Sequence, residues 1–212
     1  MKITLKLLLV IFLFVTCSKD EDTFSCSESG YTCIPDLNFE KTLIELGIDT
    51  DGTINGHVLT SDVSGITELD IWNDNISDLT GIEDFTSLTF LNCGRNQLTS
   101  LDVSNNKSLD WLNCYVNQLT SLDVSNNTSL IDLYCGSNQL TSLDVSNNTS
   151  LKRLNCSESQ LTSLDVSNNT SLYLFDCQSN PLTCITVNQT QLDNIPTSWE
   201  KDSEDTYSID CN

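Results

Sequence analysis

Apolar residues recur along most of this chain in a fixed order. From Leu88 the sequence reads Leu-x-x-Leu-x-Cys-x-x-Asn-x-Leu-x-x-Leu-x-Val, and the order restarts at Leu109, Leu130, Leu151 and Leu172, a step of 21 residues. Within each step, x-Leu-x-Cys-x alternates with a period of two, which predicts a short strand with leucine and cysteine on one face. Leu112 and Cys114 are therefore expected inward, and Trp111, Asn113 and Tyr115 outward. Leu-x-x-Leu-x-Val lines the returning side of the same core. A period of this length predicts stacked rungs, each too thin to bury its apolar face alone. One block, QLTSLDVSNN, is identical at Gln97–Asn106, Gln118–Asn127, Gln139–Asn148 and Gln160–Asn169.

An asparagine or a shorter polar residue stands at the bend after each strand: Asp74, Asn96, Asn117, Asn138, Ser159 and Asn180. A carboxamide buried there can satisfy backbone groups that no regular sheet reaches, and Ser159 is too short to do so equally well. This pattern is identified as the leucine-rich repeat, and it most resembles the short bacterial, internalin-like form over residues 59–182. The resemblance implies an α/β repeat solenoid: a curved parallel sheet of short strands, an irregular or 3-10 convex side, and a cap at each end. It also implies a recognition module with no catalytic role.

The flanks predict the caps. Pro35 suits the first turn of a helix, Leu37, Leu43, Ile44 and Leu46 give it an apolar stripe, and Gly47 is placed to end it. Leu59-Thr-Ser-Asp-Val-Ser-Gly echoes the invariant block as a half rung, and Ile66–Ser87 is a 22-residue unit. The boundaries expected are an N-terminal cap and half repeat over 34–64, repeats over 65–181, and a C-terminal cap over 182–212. Residues 182–212, with Trp199 and Tyr207, resemble the C-terminal caps of secreted bacterial repeat proteins.

The first residues predict export. Lys2 and Lys6 precede an apolar run, Leu7–Val15, too short to span a bilayer and suited to a signal peptide over 1–16. Phe14-Val15-Thr16-Cys17 resembles a bacterial lipoprotein signal, which implies cleavage before Cys17 and acylation of that residue. Ser18-Lys19-Asp20-Glu21-Asp22 resembles a tag for the outer face of the outer membrane, and residues 17–33 read as an acidic tether. The only membrane contact expected is then the lipid anchor, with the module outside the cell.

Charge narrows the partners. The chain carries 30 acidic and 9 basic residues, a net of −21, so nucleic-acid binding is excluded on electrostatic grounds. A single histidine, His57, leaves little material for acid–base or metal chemistry, and no cofactor is expected. Five of the ten cysteines (Cys93, Cys114, Cys135, Cys156 and Cys177) share one inward rung position. In-register parallel strands hold their Cβ atoms about 4.8 Å apart, beyond disulfide reach, so they are expected as reduced core residues. Cys184–Cys211 and Cys26–Cys33 are the expected bridges, the first pinning the C-terminal cap. Asp49-Thr-Asp-Gly-Thr-Ile opens like a calcium loop, but counted from Asp49 the glycine is fourth rather than sixth, which favours a turn.

The outward strand positions differ from copy to copy, whereas the opposite turn does not. They bring Trp72, Phe90, Trp111, Asn113, Tyr115, Tyr134 and Arg153 to one face. Exposed Trp and Tyr beside polar groups mark binding surfaces, and a sheet-steadying aromatic ladder is the alternative. The expectation is a monomeric module that binds a partner protein on its concave face; capture of a surface glycan and a structural envelope role are the other readings.

Overall fold

A computed structural model describes residues 29–211. The signal peptide, Cys17, most of the tether and Cys26 lie outside the described residues. Strand β1 (Tyr31–Cys33) pairs antiparallel with β2 (His57–Leu59), and helix α1 (Leu37–Glu45) lies between them. Asp36 caps α1: its carboxylate accepts the Asn38 and Phe39 N–H groups and reaches across to Ser77 and Asp78 of the first rung. Gly47, at φ +70, ends the helix, with the Gly47 and Ile48 N–H groups donating back to Ile44 and Leu43.

Two expectations about this cap are corrected. Pro35 precedes the N-cap instead of sitting in the first turn. The buried face is Phe39, Glu40 and Leu43, while Leu37 and Leu46 face solvent. Phe39 wins because it stacks on Phe85 of the first rung at 6.2 Å between centroids, an anchor that Leu37 cannot reach from the other side of the helix. The half rung is likewise different. Thr60–Val63 forms a one-turn helix, α2, with only Val63 buried.

The rungs then stack in register. Strands β3 (Glu68–Asp70), β4 (Phe90–Asn92), β5 (Trp111–Asn113), β6 (Asp132–Tyr134) and β7 (Arg153–Asn155) pair as parallel neighbours. A small convex strand, β8 (Leu164–Asp165), follows, and β9 (Leu174–Asp176) continues the main sheet. Leu69, Leu91, Leu112, Leu133, Leu154 and Phe175 form one fully buried column, and Cys93, Cys114, Cys135, Cys156 and Cys177 the next. Those cysteines are free thiols in a dry core. Burial pushes Cys114 and Cys177 up to about 12, so they stay protonated and behave as small apolar residues.

Two asparagine columns hold the bends. Asn138 Oδ1 accepts the Leu119 N–H at 3.0 Å, and its Nδ2 donates to the Cys114 and Cys135 carbonyls, both at 3.0 Å. Asn96, Asn117 and Asn180 repeat this, but the buried Ser159 hydroxyl has no partner. The second column, Asn106, Asn127, Asn148 and Asn169, is fully buried at the opposite turn. Each Nδ2 there donates to two carbonyls of the preceding rung, as Asn127 does to Val103 and Asn106. The residue before each first-column position, Ser159 included, is left-handed, at φ +53 for Arg95, +56 for Val116, +51 for Ser137 and Glu158, and +58 for Ser179. A 3-10 turn on the convex side spans Ile82–Asp84 in the 22-residue unit.

The C-terminal segment adds structure. Strands β10 (Cys184–Thr186) and β12 (Thr206–Ser208) join β8 in a second parallel sheet, and between them lie helix α3 (Gln189–Asp193) and β11 (Trp199–Glu200). Strand β11 pairs with β9 and becomes the seventh strand of the main sheet. Trp199 packs edge-on against Phe175 at 5.2 Å and Tyr207 at 5.6 Å, closing the last rung. Cys184–Cys211 is bridged, with Cα atoms 5.6 Å apart.

Candidate functional site on the concave face

The outer side of the main sheet carries three columns of side chains. Phe90, Trp111, Asp132, Arg153 and Leu174 stand in the first, following the strand register. Asp70, Asn92, Asn113, Tyr134, Asn155 and Asp176 form the second. Trp72, Gly94, Tyr115, Gly136, Ser157 and Gln178 lie just past the strand ends. Parallel pairing at about 4.8 Å forces chemically different side chains into contact wherever neighbouring copies differ.

The structure brings together only part of the expected aromatic cluster. Phe90 and Trp111 stack nearly parallel with centroids 4.1 Å apart, and Trp111 meets Tyr134 at 5.7 Å. All three are half-buried by one another. Trp72 stands apart. Its ring lies over Gly94, where any Cβ would fall 2.3 Å from the indole, and it keeps 38% of its surface exposed. Arg95 sits over that ring at 5.6 Å, a cation–π contact that sequence reasoning missed. Its signal was weak, because Arg95 occupies the left-handed position after the strand rather than an alternating one.

The polar groups form chains. Asn92 donates to Asp70 at 2.9 Å, and Asn113 donates to Asn92 at 3.1 Å while its own Oδ1 accepts the Tyr115 N–H. Farther along, Asn155 donates to Asp176 at 3.2 Å. Tyr134 interrupts this row, and burial pushes its phenol pKa up, keeping it a neutral donor. Arg153 is among the residues expected to bind a ligand on this face, and the structure gives it a partner within the sheet. Its Nε and Nη2 both bond the buried Asp132 carboxylate, which holds the guanidinium charged. The pair presents a nearly neutral plate, because the buried Asp132 carboxylate gains most from the guanidinium on the adjacent strand. Tyr173 stands exposed just before β9 and was also missed, because it precedes the alternating stretch. His57 packs edge-on against Tyr31 at 4.6 Å in the N-terminal cap.

Stacked short parallel strands, two asparagine columns and an irregular return define the leucine-rich-repeat solenoid. This chain has that fold, in its short internalin-like form. It is similar to internalin J of Listeria monocytogenes serotype 4b (strain F2365), 51% identical over 41 residues, which are 19% of this chain and 4% of internalin J. The solved functional domain of InlJ from Listeria monocytogenes, which includes a cysteine ladder, matches with TM-score 0.67 and 34% identity. That match covers 84% of this chain and 44% of the solved domain, so the chain spans less than half of it. An internalin, InlF, from Listeria monocytogenes strain F2365 matches in fold at 19% identity and TM-score 0.56, over 83% of this chain and 71% of that one. No protein-family model matches the sequence.

Proposed function

We propose that the protein is a surface-anchored, non-catalytic recognition module that binds a partner protein on its concave face. The observation that carries this reading is the Phe90–Trp111–Tyr134 stack, bordered by asparagine chains and by the Trp72–Arg95 pair. Large, rigid rings beside donors and acceptors gain contact area at low entropic loss, as interface anchors do. The internalin-like fold supports the same reading, and so does the sequence variation concentrated on this face. In this reading an acylated Cys17 anchors the module, the Ser18–Asp22 tag supports display at the outer surface of a bacterial outer membrane, and the module acts as a monomer.

The test is capture by the soluble module from the surface proteins of neighbouring cells, with affinity then measured for each captured species. Trp111→Ala with Tyr134→Ala should weaken a concave-face complex by at least about 30-fold, as expected for hot-spot residues worth 2 kcal/mol or more. Unchanged affinity would remove the concave face from the proposal. Trp72 supports a second reading, capture of a glycan. Its indole rests against Gly94 and keeps 38% of its surface exposed beside the Arg95 guanidinium, an aromatic and polar pair that suits a sugar ring. Binding on a glycan array that Trp72→Ala abolishes, with no protein captured, would establish that reading instead. Protease shaving of intact cells, with mass spectrometry of the retained N-terminus, tests the acylated Cys17 and the outward orientation.

A further inference from the structure

The loop that follows α1 is tied back onto that helix as a strap. Glu40 is completely buried on α1, and its Oε1 accepts the Asn55, Gly56 and His57 N–H groups at 2.8, 2.7 and 3.2 Å. At the other end of the strap the Ile48 and Asp49 N–H groups donate to the Leu43 carbonyl at 2.9 and 3.1 Å. Two tight turns shape the segment between. Asp51 accepts the Thr53 N–H and hydroxyl on Oδ1, both at 2.7 Å, and the Asn55 amide on Oδ2 at 2.9 Å. Asn55 Oδ1 accepts the His57 N–H at 3.1 Å. The strap is thus fastened at both ends to the helix that lays Phe39 on Phe85 of the first rung.

Asp49 is the misfit in this arrangement. It is 4% exposed; its Oδ1 accepts the Asp51 N–H at 3.3 Å, and its Oδ2 is buried with no partner. The charges that act on it have its own sign: Asp51 on the strap, Glu40 on α1 and Asp62 on α2, whose Oδ2 accepts the Thr50 hydroxyl at 2.6 Å. Lys41 of α1 pairs with Glu45 at the surface. His57 of β2 packs against Tyr31 of β1 and acts on Asp51. A desolvated carboxylate oxygen without a donor is costly in its charged form, and a proton removes that cost. Burial, with Asp51, Glu40 and Asp62 adding to it, raises the Asp49 pKa above the ordinary 3.8, whereas bonds from Thr53 and Asn55 hold that of Asp51 below it. Neighbouring acids pushed apart in this way let one take up a proton while the other stays charged and keeps its turn.

We propose that Asp49 is a proton latch: its neutral form seals the 49–56 strap onto α1 and stiffens the N-terminal cap, and its charged form loosens it. This inference stands independently of the concave-face reading. A closed strap that holds the proton more tightly than an open one is most stable below pH 3.8, and it loses that contribution as pH rises through the higher closed-state value. Above about pH 4 Asp51 keeps most of its charge, so the strap tightens on acidification with its turn intact.

Hydrogen–deuterium exchange of the full chain, with mass spectrometry of peptides over 50–57, reads the strap once intrinsic exchange rates are divided out. Protection of the Asn55, Gly56 and His57 amides should rise at least about threefold from pH 7 to pH 4, against a limit of about tenfold per pH unit for one proton. The amides of β5 should show no such rise. Asp49→Asn keeps the Oδ1 acceptor and removes the charge; it should show the high protection already at pH 7 and no response to pH. Asp62→Asn keeps an acceptor for Thr50 and removes one like charge, so it should move the response to lower pH, a test that stands should Asp49→Asn fail to fold. His57→Gln should keep the response. Strap protection in the parent chain that is flat, or that falls toward pH 4, would overturn the latch. So would a response that survives Asp49→Asn, or one that His57→Gln abolishes, which would assign the proton to the imidazole.

Discussion

Ser159 interrupts the first asparagine column, and replacing it should stabilise the protein. In a regular rung the carboxamide makes three bonds, as Asn138 does with the Leu119 N–H and the Cys114 and Cys135 carbonyls. At Ser159 the hydroxyl is buried without a partner, and the Leu140 N–H, the counterpart of Leu119, meets no carboxamide oxygen. The carbonyls of Cys135 and Cys156 receive one carboxamide each, from Asn138 and Asn180, whereas those of Cys93 and Cys114 receive two. Ser159→Asn would restore three bonds. One of them, to the Leu140 N–H, fills an unmet buried donor; the other two add a second bond to carbonyls already served.

At about 0.5–1.5 kcal/mol for each net bond, with part lost to ordering the longer side chain, the gain should be about 1–3 kcal/mol. For a chain of this size that is a rise of about 3–8 °C in melting temperature. The reciprocal change, Asn138→Ser, should cost a similar amount. Both are read by calorimetry and by urea unfolding, with the urea slope unchanged between variants. If Ser159→Asn leaves the midpoint where it was while Asn138→Ser lowers it, the Ser159 rung is already satisfied by solvent and the column is not additive.

Other perturbations test other links. Val116 holds a left-handed conformation that a β-branched side chain resists, so Val116→Gly should stabilise by about 1 kcal/mol in urea unfolding. Replacing Cys184 and Cys211 by serine should cost about 2–4 kcal/mol and free the β12 amides to exchange with deuterium. Burial would raise the Asp36 carboxyl, but bonds from Ser77, Phe39 and Asn38 outweigh it and hold its pKa below the ordinary 3.8. Its contribution is therefore present above pH 3.8 and lost as pH falls through the lower folded value; Asp36→Asn should flatten that acid-side drop in melting temperature. Gly94→Ala should lift Trp72 from its seat, shifting indole fluorescence and abolishing any Trp72-dependent binding with little loss of stability.

The rungs were legible because their period is strict and each apolar position does one job in every copy. The cysteine column followed from alternation alone, and so did the bend asparagines. The second asparagine column was not read, because Ser-Asn-Asn looks like any solvated turn until the next rung covers Asn127 and its neighbours. The caps were less legible because they are not periodic. Leu37 matched a helical stripe as well as Phe39 did, and only the Phe85 ring across the interface decided between them. Strand β11 was invisible for a similar reason: Trp199–Glu200 has no alternation of its own and pairs with β9 only because that edge would otherwise be open. On the concave face alternation gives the outward positions, but contact is a property of pairs. Position alone did not show that Arg153 is taken by Asp132, or that Arg95 goes to Trp72.

The two faces of the solenoid also bear on which one does the work. Part of the invariant block is fixed by structure: Leu98, Leu101, Val103 and Asn106 are buried, and Asp102 accepts the Ser104 N–H at 2.9 Å. Gln97, Thr99 and Ser100 are different. They and their copies are exposed, and among the described residues their side chains make no hydrogen bond to the protein. Turn chemistry therefore does not account for their identity in four copies. If the identity records recent duplication, the concave positions have changed faster than the rest, which favours that face as the recognition surface. If selection maintains it, the Gln-x-Thr-Ser array is itself a contact surface. Codons separate the cases. Few synonymous differences between the four blocks would indicate recent copying and support the concave face; many, beneath an unchanged Gln, Thr and Ser, would move the proposed binding role to the opposite side.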